Sequence, residues 1–203
     1  MFERLVRLRH ARDGSAMIEF ALIVSLLLLV TGGMVDFSLA LYQWNAASKA
    51  TQLGGRLAAV SDPVSSNISA LSPTAAFSIV CSGSSASCTG GGTYSATAMN
   101  TLVYGRGKVA CGAVALNQLA GMCDAYPSIT ASNVRVTYQQ SAYAISGLGF
   151  AGRPGGPVPT ITVEITGLTF DFFFLNGLLG LAPMNMPTMR TTITGEDLST
   201  TGS

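Results

Sequence analysis

Three regimes of hydrophobic pattern follow one another along this chain. From Met17 to Val35 the run is almost unbroken, with eleven Ile, Leu, Val or Phe residues against a single charge, Glu19. As a helix rising 1.5 Å per residue it would reach about 28 Å, close to the ~30 Å hydrocarbon core of a bilayer. From Leu39 the pattern turns amphipathic: Leu39, Tyr42, Ala46, Ala50, Leu53, Leu57 and Val60 recur at steps of three and four, which places them on one helical face. Asn45, Lys49, Gln52 and Arg56 form a polar stripe on the same helix, and Ser61-Asp62-Pro63 ends it, because proline disfavours helix at the residue before it. The pattern thus predicts one helix over roughly residues 16–60, about 65 Å long, half in lipid and half outside. Gly32-Gly33 and Gly54-Gly55 interrupt it, either as sites of close packing or as points where the helix bends or melts.

Beyond residue 60 the period shortens to two. FSIVC reads as a short strand within a Ser, Gly and Thr-rich loop over 61–99, and residues 98–120 are helical in part. VRVTYQQ and PTITVEIT alternate clearly, the second with Ile161, Val163 and Ile165 on one face and Thr162, Glu164 and Thr166 on the other. GRPGGPVP (152–159) reads as a turn, and MRTTITGE as a last strand. Helix first and antiparallel strands afterwards imply a single α+β domain with the sheet packed on the helix's apolar face. The apolar stretch LTFDFFFLNGLLGLAP (168–183) is too short to span a membrane and reads as core, with a patch for a partner subunit as the competing reading.

Only 10% of the residues are charged, against about 25% in typical soluble proteins, and the mean hydropathy is +0.44. Four of the eleven basic residues (Arg4, Arg7, Arg9, Arg12) fall in the first thirteen positions, so the positive-inside rule keeps that end in the cytoplasm and sends the rest outward. The apolar run contributes about −3 to −7 kcal/mol to insertion, whereas an acid near the end of a span costs less than about 3 kcal/mol. Insertion therefore wins. The body carries no basic surplus for nucleic acid. Its acids, Asp124, Glu164, Asp171, Glu196 and Asp197, show no spacing suited to acid-base work, and the only histidine, His10, precedes the span. Gly105-Arg106-Gly107-Lys108 lacks the form of a phosphate loop and reads as a basic turn. No enzyme, cofactor or metal is indicated. Cys81, Cys88, Cys111 and Cys123 in an outward-facing domain favour disulfides. Of three possible pairings, Cys81 with Cys88 and Cys111 with Cys123 closes the shortest loops, each worth on the order of 3 kcal/mol in the loop-entropy model.

Three readings compete for the N-terminus: a cleaved secretory signal with Ser38-Leu39-Ala40 as its site, a plain uncleaved anchor, and a prepilin-type leader cut before the apolar run. The segment G-S-A-M-I-E-F, Gly14 to Phe20, resembles the processing site of type IV pilin relatives, with a basic leader ending in Gly, four residues, then Glu and an aromatic. The wider pattern is similar to the TadE-like pseudopilins of tight-adherence (Flp) pilus systems: AASKATQLGGRLAAV places Arg56 where that family has an arginine, and NTLVYG and VRVTY resemble further stretches. The resemblance implies a leader over 1–14, a membrane half of the helix over 15–36, an amphipathic half over 37–60 and an extracytoplasmic α+β, pilin-like domain over 61–203. Cleavage between Gly14 and Ser15 would create an amine that Glu19 can neutralise on the same or a neighbouring subunit, making Glu19 and Phe20 devices of register. An acid snorkelling to the headgroups is the alternative.

The function this implies is that of a non-enzymatic minor pilin or pseudopilin at the initiation, base or tip of a pilus. It would be a single-pass protein of the bacterial inner membrane, with its C-terminal domain periplasmic or carried into a fibre. Its implied partners are a prepilin peptidase, other pilin subunits, the inner-membrane assembly platform and the lipid bilayer. A membrane-anchored periplasmic binding or sensing domain with an uncleaved anchor is the runner-up.

Overall fold

The computed structural model describes residues 2–72, 75–141, 158–195 and 198, with side chains from residue 15 onward except that of Ser69. Most of the GRPGGPVP turn, the acids Glu196 and Asp197, and the side chain of His10 lie outside the described residues. The chain forms two compact units, residues 1–42 with 170–184, and residues 43–169 with 185–203.

Helix α1 runs from Phe2 to Ala59, so its C-terminal end falls just before Ser61-Asp62-Pro63, as the pattern predicts. It starts earlier than that pattern, because the Arg, Leu, Glu and Ala of the first fourteen residues are good helix formers. Its lower turns, 43–59, belong to the larger unit. There the polar stripe Asn45, Lys49, Gln52 and Arg56 is exposed, while Ala46, Ala47, Ala50, Thr51, Gly54, Gly55, Leu57, Ala58 and Ala59 are buried. The buried face is thus narrower than the one read from the large hydrophobes. Leu39 and Tyr42 are exposed, and Leu53 and Val60 only half-buried. Small side chains do the packing: a Cβ at Gly54 would stand 2.5 Å from Met122 Sδ, and one at Gly55 would stand 2.6 Å from Thr191 Cγ2. Both glycine pairs lie inside an unbroken helix and mark close approach.

The sheet of this unit has five antiparallel strands in the order β2-β1-β3-β4-β7. These are β1 (Phe77–Ser82), β2 (Ser87–Thr89), β3 (Val134–Gln140), β4 (Thr160–Ile165) and β7 (Met189–Thr194). Register follows the period-two pattern. Ile79, Tyr138, Ile161 and Ile193 make one row across the sheet, and Cys81, Val136, Val163 and Thr191 the next. The other face is polar, with Thr162 hydrogen-bonded to Thr192 and Arg135 facing Glu164 at 3.8 Å. The α+β architecture read from the sequence is present. Strand β2 was not foreseen, since three residues of Ser-Cys-Thr carry no readable alternation.

Two short helices complete the unit, α2 (Ala96–Tyr104) and α3 (Met122–Ala125). Ser95 caps α2 by accepting from Ala98 N–H, and Met99, Leu102 and Val103 are buried beneath it. Arg106 donates to Val60 O and Ser61 Oγ, placing a cation on the free carbonyls at the end of α1. Lys108 donates 2.7 Å bonds to both carboxylate oxygens of Asp124, which also accept from Gly112 and Gly121 N–H. The basic turn therefore serves as a clasp. Disulfides join Cys81 to Cys88 across β1 and β2, and Cys111 to Cys123 across the clasp. Tyr138, fully buried, accepts from Val64 N–H at 2.9 Å and fixes the chain leaving α1 to the middle of the sheet.

In the smaller unit, the upper part of α1 is accompanied by residues 170–184, which carry helix α4 (Phe174–Leu179). Short strands β5 (Thr169–Phe170) and β6 (Met184–Asn185) pair with each other at either end of this excursion. The reading of 168–183 as core is overturned: Phe173 is 76% exposed, and Leu178, Leu179, Leu181 and Met184 are all exposed as well. A six-residue helix with Gly177 inside it and Gly180 at its C-cap has too little surface to bury a Phe and Leu set all round, and its N-terminal turn is the part held to α1.

Replacing Tyr138 by Phe leaves the buried Val64 N–H without an acceptor; urea denaturation in detergent micelles should show a loss of about 1–3 kcal/mol. At Asp124, burial raises the carboxyl's pKa, but the Lys108 side chain and the Gly112 and Gly121 N–H groups outweigh this and hold it below the ordinary 3.8. A group depressed in the folded state stabilises fully above its unfolded value and loses that contribution as pH falls through the folded one. Stability should therefore drop as the pH is lowered below 3.8, and Asp124→Asn should lower stability at neutral pH while flattening that acid limb.

Candidate functional site

Within the smaller unit, α1 presents an apolar surface that the described chain leaves largely uncovered. Its most apolar stretch has a mean hydropathy of 2.3 and is only 6% buried, and this is the one helix among the described residues long and apolar enough to cross a membrane. Met17, Ile18, Phe20, Leu22, Ile23, Leu26 and Leu27 are all 60% or more exposed. Core helices of soluble proteins do not look like this. Its hydroxyls are suited to an apolar medium. Ser25, Thr31 and Ser38 each donate to the carbonyl four residues back, Ala21, Leu27 and Met34, so none needs water as an acceptor.

At the N-terminal end, the backbone is helical through Gly14 and Ser15, and Ser15 Oγ donates to Glu19 Oε1 at 3.5 Å. Ser15, Glu19 and Phe20 are exposed. The one-turn spacing thus brings residue 15 and the carboxylate to the same face, with no other charge until Asp36. An amine at that position would lie within reach of Glu19.

Asp36 was not singled out by sequence reasoning. It is 1% exposed, and its carboxylate accepts from the N–H groups of Phe173 (3.0 Å), Phe174 (3.2 Å) and Leu175 (2.7 Å). One helical turn earlier, Gly32 gives room for Phe174: a Cβ there would stand 2.9 Å from that residue's own Cβ. The signal was available in the spacing, because Gly32, Gly33 and Asp36 share one side of α1 and an acid next to a membrane span requires donors.

In the larger unit, Arg56 is exposed on α1 and borders a groove lined by Leu53, Leu57, Val60, Leu119 and Ile193. Cys81, Cys88, Cys111 and Cys123 are all in disulfides. Asp124 and Glu164 each face a basic partner, and Asp171 is exposed. Among the described residues, no three His, Cys, Asp or Glu side chains converge as a metal site would need. Glu19 and Arg56 lie at opposite ends of the segment that the resemblance covers, and neither is joined to a catalytic constellation.

Residues 14–56 match the family model described as TadE-like protein. Neither a curated protein nor a solved structure matches the chain. The matched segment begins at the glycine of the G-S-A-M-I-E-F motif and ends at Arg56, so it covers the apolar helix and the first turns packed on the sheet. By that match the N-terminal helix is similar to that of TadE-like proteins, over about a fifth of the chain.

Proposed function

We propose that the chain is a non-enzymatic minor pilin or pseudopilin of a tight-adherence pilus, made as a prepilin in the bacterial inner membrane. In this reading its first fourteen residues stay cytoplasmic, residues 15–36 span, and the α+β domain faces the periplasm. A prepilin peptidase cuts after Gly14. The subunit then takes part in assembly at the initiation complex, base or tip, with other pilin subunits and the inner-membrane platform.

One observation carries this reading: an exposed apolar helical surface whose only charge before Asp36 is Glu19, one turn beyond Ser15. A lone acid in an apolar span is costly, and so is a lone amine at its tip. Side-by-side packing of such helices removes both costs when each carboxylate meets an amine, which fixes the axial offset between neighbours. Head-to-tail packing of identical contacts propagates into an open helical array. The family match over residues 14–56 supports the same reading, because its limits enclose the cleavage motif and the stalk.

N-terminal sequencing of the native protein should return a start at Ser15. A start at Met1 would indicate a plain anchor, and one at Leu41 a secretory signal. Truncating one partner of a buried ion pair costs about 3–5 kcal/mol, so Glu19→Ala should reduce incorporation into pili by tenfold or more while membrane insertion is unchanged. Immunoblots of sheared fibres and of membrane fractions report the two quantities separately.

A further inference from the structure

We infer that residues 172–184 form a second membrane contact, an interfacial foot that lies in the outer headgroup region beside the spanning helix. The inference rests on the reading that α1 crosses the bilayer, and adds to it a lipid-facing role for a segment outside the matched region. Between Asp171 and Arg190 the chain carries no charged side chain, and this stretch holds three consecutive phenylalanines, Phe172 to Phe174, and four leucines. Folded into the domain, these would be core. Instead Phe173, Leu178, Leu179, Leu181 and Met184 are exposed, at 45–76%.

Where the segment sits along α1 decides what covers it. Its N-terminal turn is fixed by the Asp36 carboxylate, and Phe174 and Leu175 rest on Gly32 and Gly33. Gly32 and Gly33 lie inside the apolar run that ends at Val35, and Asp36 directly follows it. The segment therefore docks within about one helical turn, ~5.4 Å, of the end of the span. That is the depth at which interfacial helices bury their apolar faces, about 5–10 Å into the boundary between headgroups and acyl chains. Its exposed surface is also continuous in composition with that of α1 at the same level, where Met34, Val35, Phe37 and Tyr42 are uncovered. Lipid that covers one covers the other. Asp36 can lie at this depth because three N–H donors replace its water.

The test uses the full-length chain in phosphatidylethanolamine and phosphatidylglycerol vesicles, with Trp44→Phe removing the only tryptophan and one new tryptophan placed by Leu178→Trp, Leu181→Trp or, as reference on the span, Leu27→Trp. All three leucines are exposed, at 45–60%, so the replacements remove little packing. Lipid brominated near the carbonyl end of the acyl chains should quench the reporters at 178 and 181, and aqueous iodide should not; the reference at 27 should be quenched by lipid brominated deeper in the chains. If the reference is lipid-quenched while 178 and 181 respond to iodide, the foot is refuted and the spanning helix stands. If the reference itself escapes every brominated lipid, both fall. If 178 and 181 are shielded from both quenchers, and dilution of the protein in the membrane removes that shielding, a second copy covers the segment and the inference is overturned.

Discussion

Between Met17 and Tyr42 the helix keeps most of its apolar side chains uncovered by the described chain, and this constraint governs the rest of the molecule. Each large apolar side chain left in water forgoes about 1.5–3 kcal/mol, and more than a dozen are involved here. Such a surface is stable only where lipid or another apolar helix takes the place of water. The polar groups on it conform to that condition. Three hydroxyls turn back to their own backbone, Glu19 lies at the extreme end, and Asp36, at the other, is surrounded by three amide donors. Between Met17 and Tyr42 the helix thus contains two acids and leaves neither stranded in the middle of an apolar layer.

Lower on the same helix, the chemistry changes by side-chain size more than by polarity. Ala47, Ala50, Gly54, Gly55 and Ala58 replace Leu and Ile on the buried face, and Met122 and Thr191 fit against the glycines. Larger residues there would hold the sheet away and open voids, so the small stripe sets how closely helix and strands pack. Arg106 at the helix's last carbonyls and Tyr138 at Val64 N–H then fix where the helix stops and where the chain turns down into the sheet.

The parts of this architecture that the sequence disclosed are those with a strong period. VRVTYQQ and TITVEI became adjacent strands because every second residue is apolar, and the register pairs those residues directly. The small stripe was hidden for the converse reason: Ala, Gly and Thr add little to a hydropathy pattern, so Leu39 and Tyr42 were assigned to a face that they do not join. Residues 168–183 exposed a deeper ambiguity. Apolar composition says that a segment avoids water but not what it meets instead, and a run of Phe and Leu reads alike whether protein or lipid covers it. Asp36 was overlooked because its partners are amide groups 137 to 139 positions away: the spacing of Gly32, Gly33 and Asp36 marks a docking side of the helix but does not name the segment that docks there.

The two disulfides span 7 and 12 positions, and each stays within a local hairpin or loop. Neither staples the helix to a strand, and neither bridges the first half of the sheet to the last. The long-range topology is therefore carried by strand pairing and core packing, and the cross-links tighten two local segments of it. Reduction would therefore reopen two short loops while strand order and register keep their own hydrogen bonds, and the sulfurs released at Cys81 and Cys123 would stay enclosed in the core.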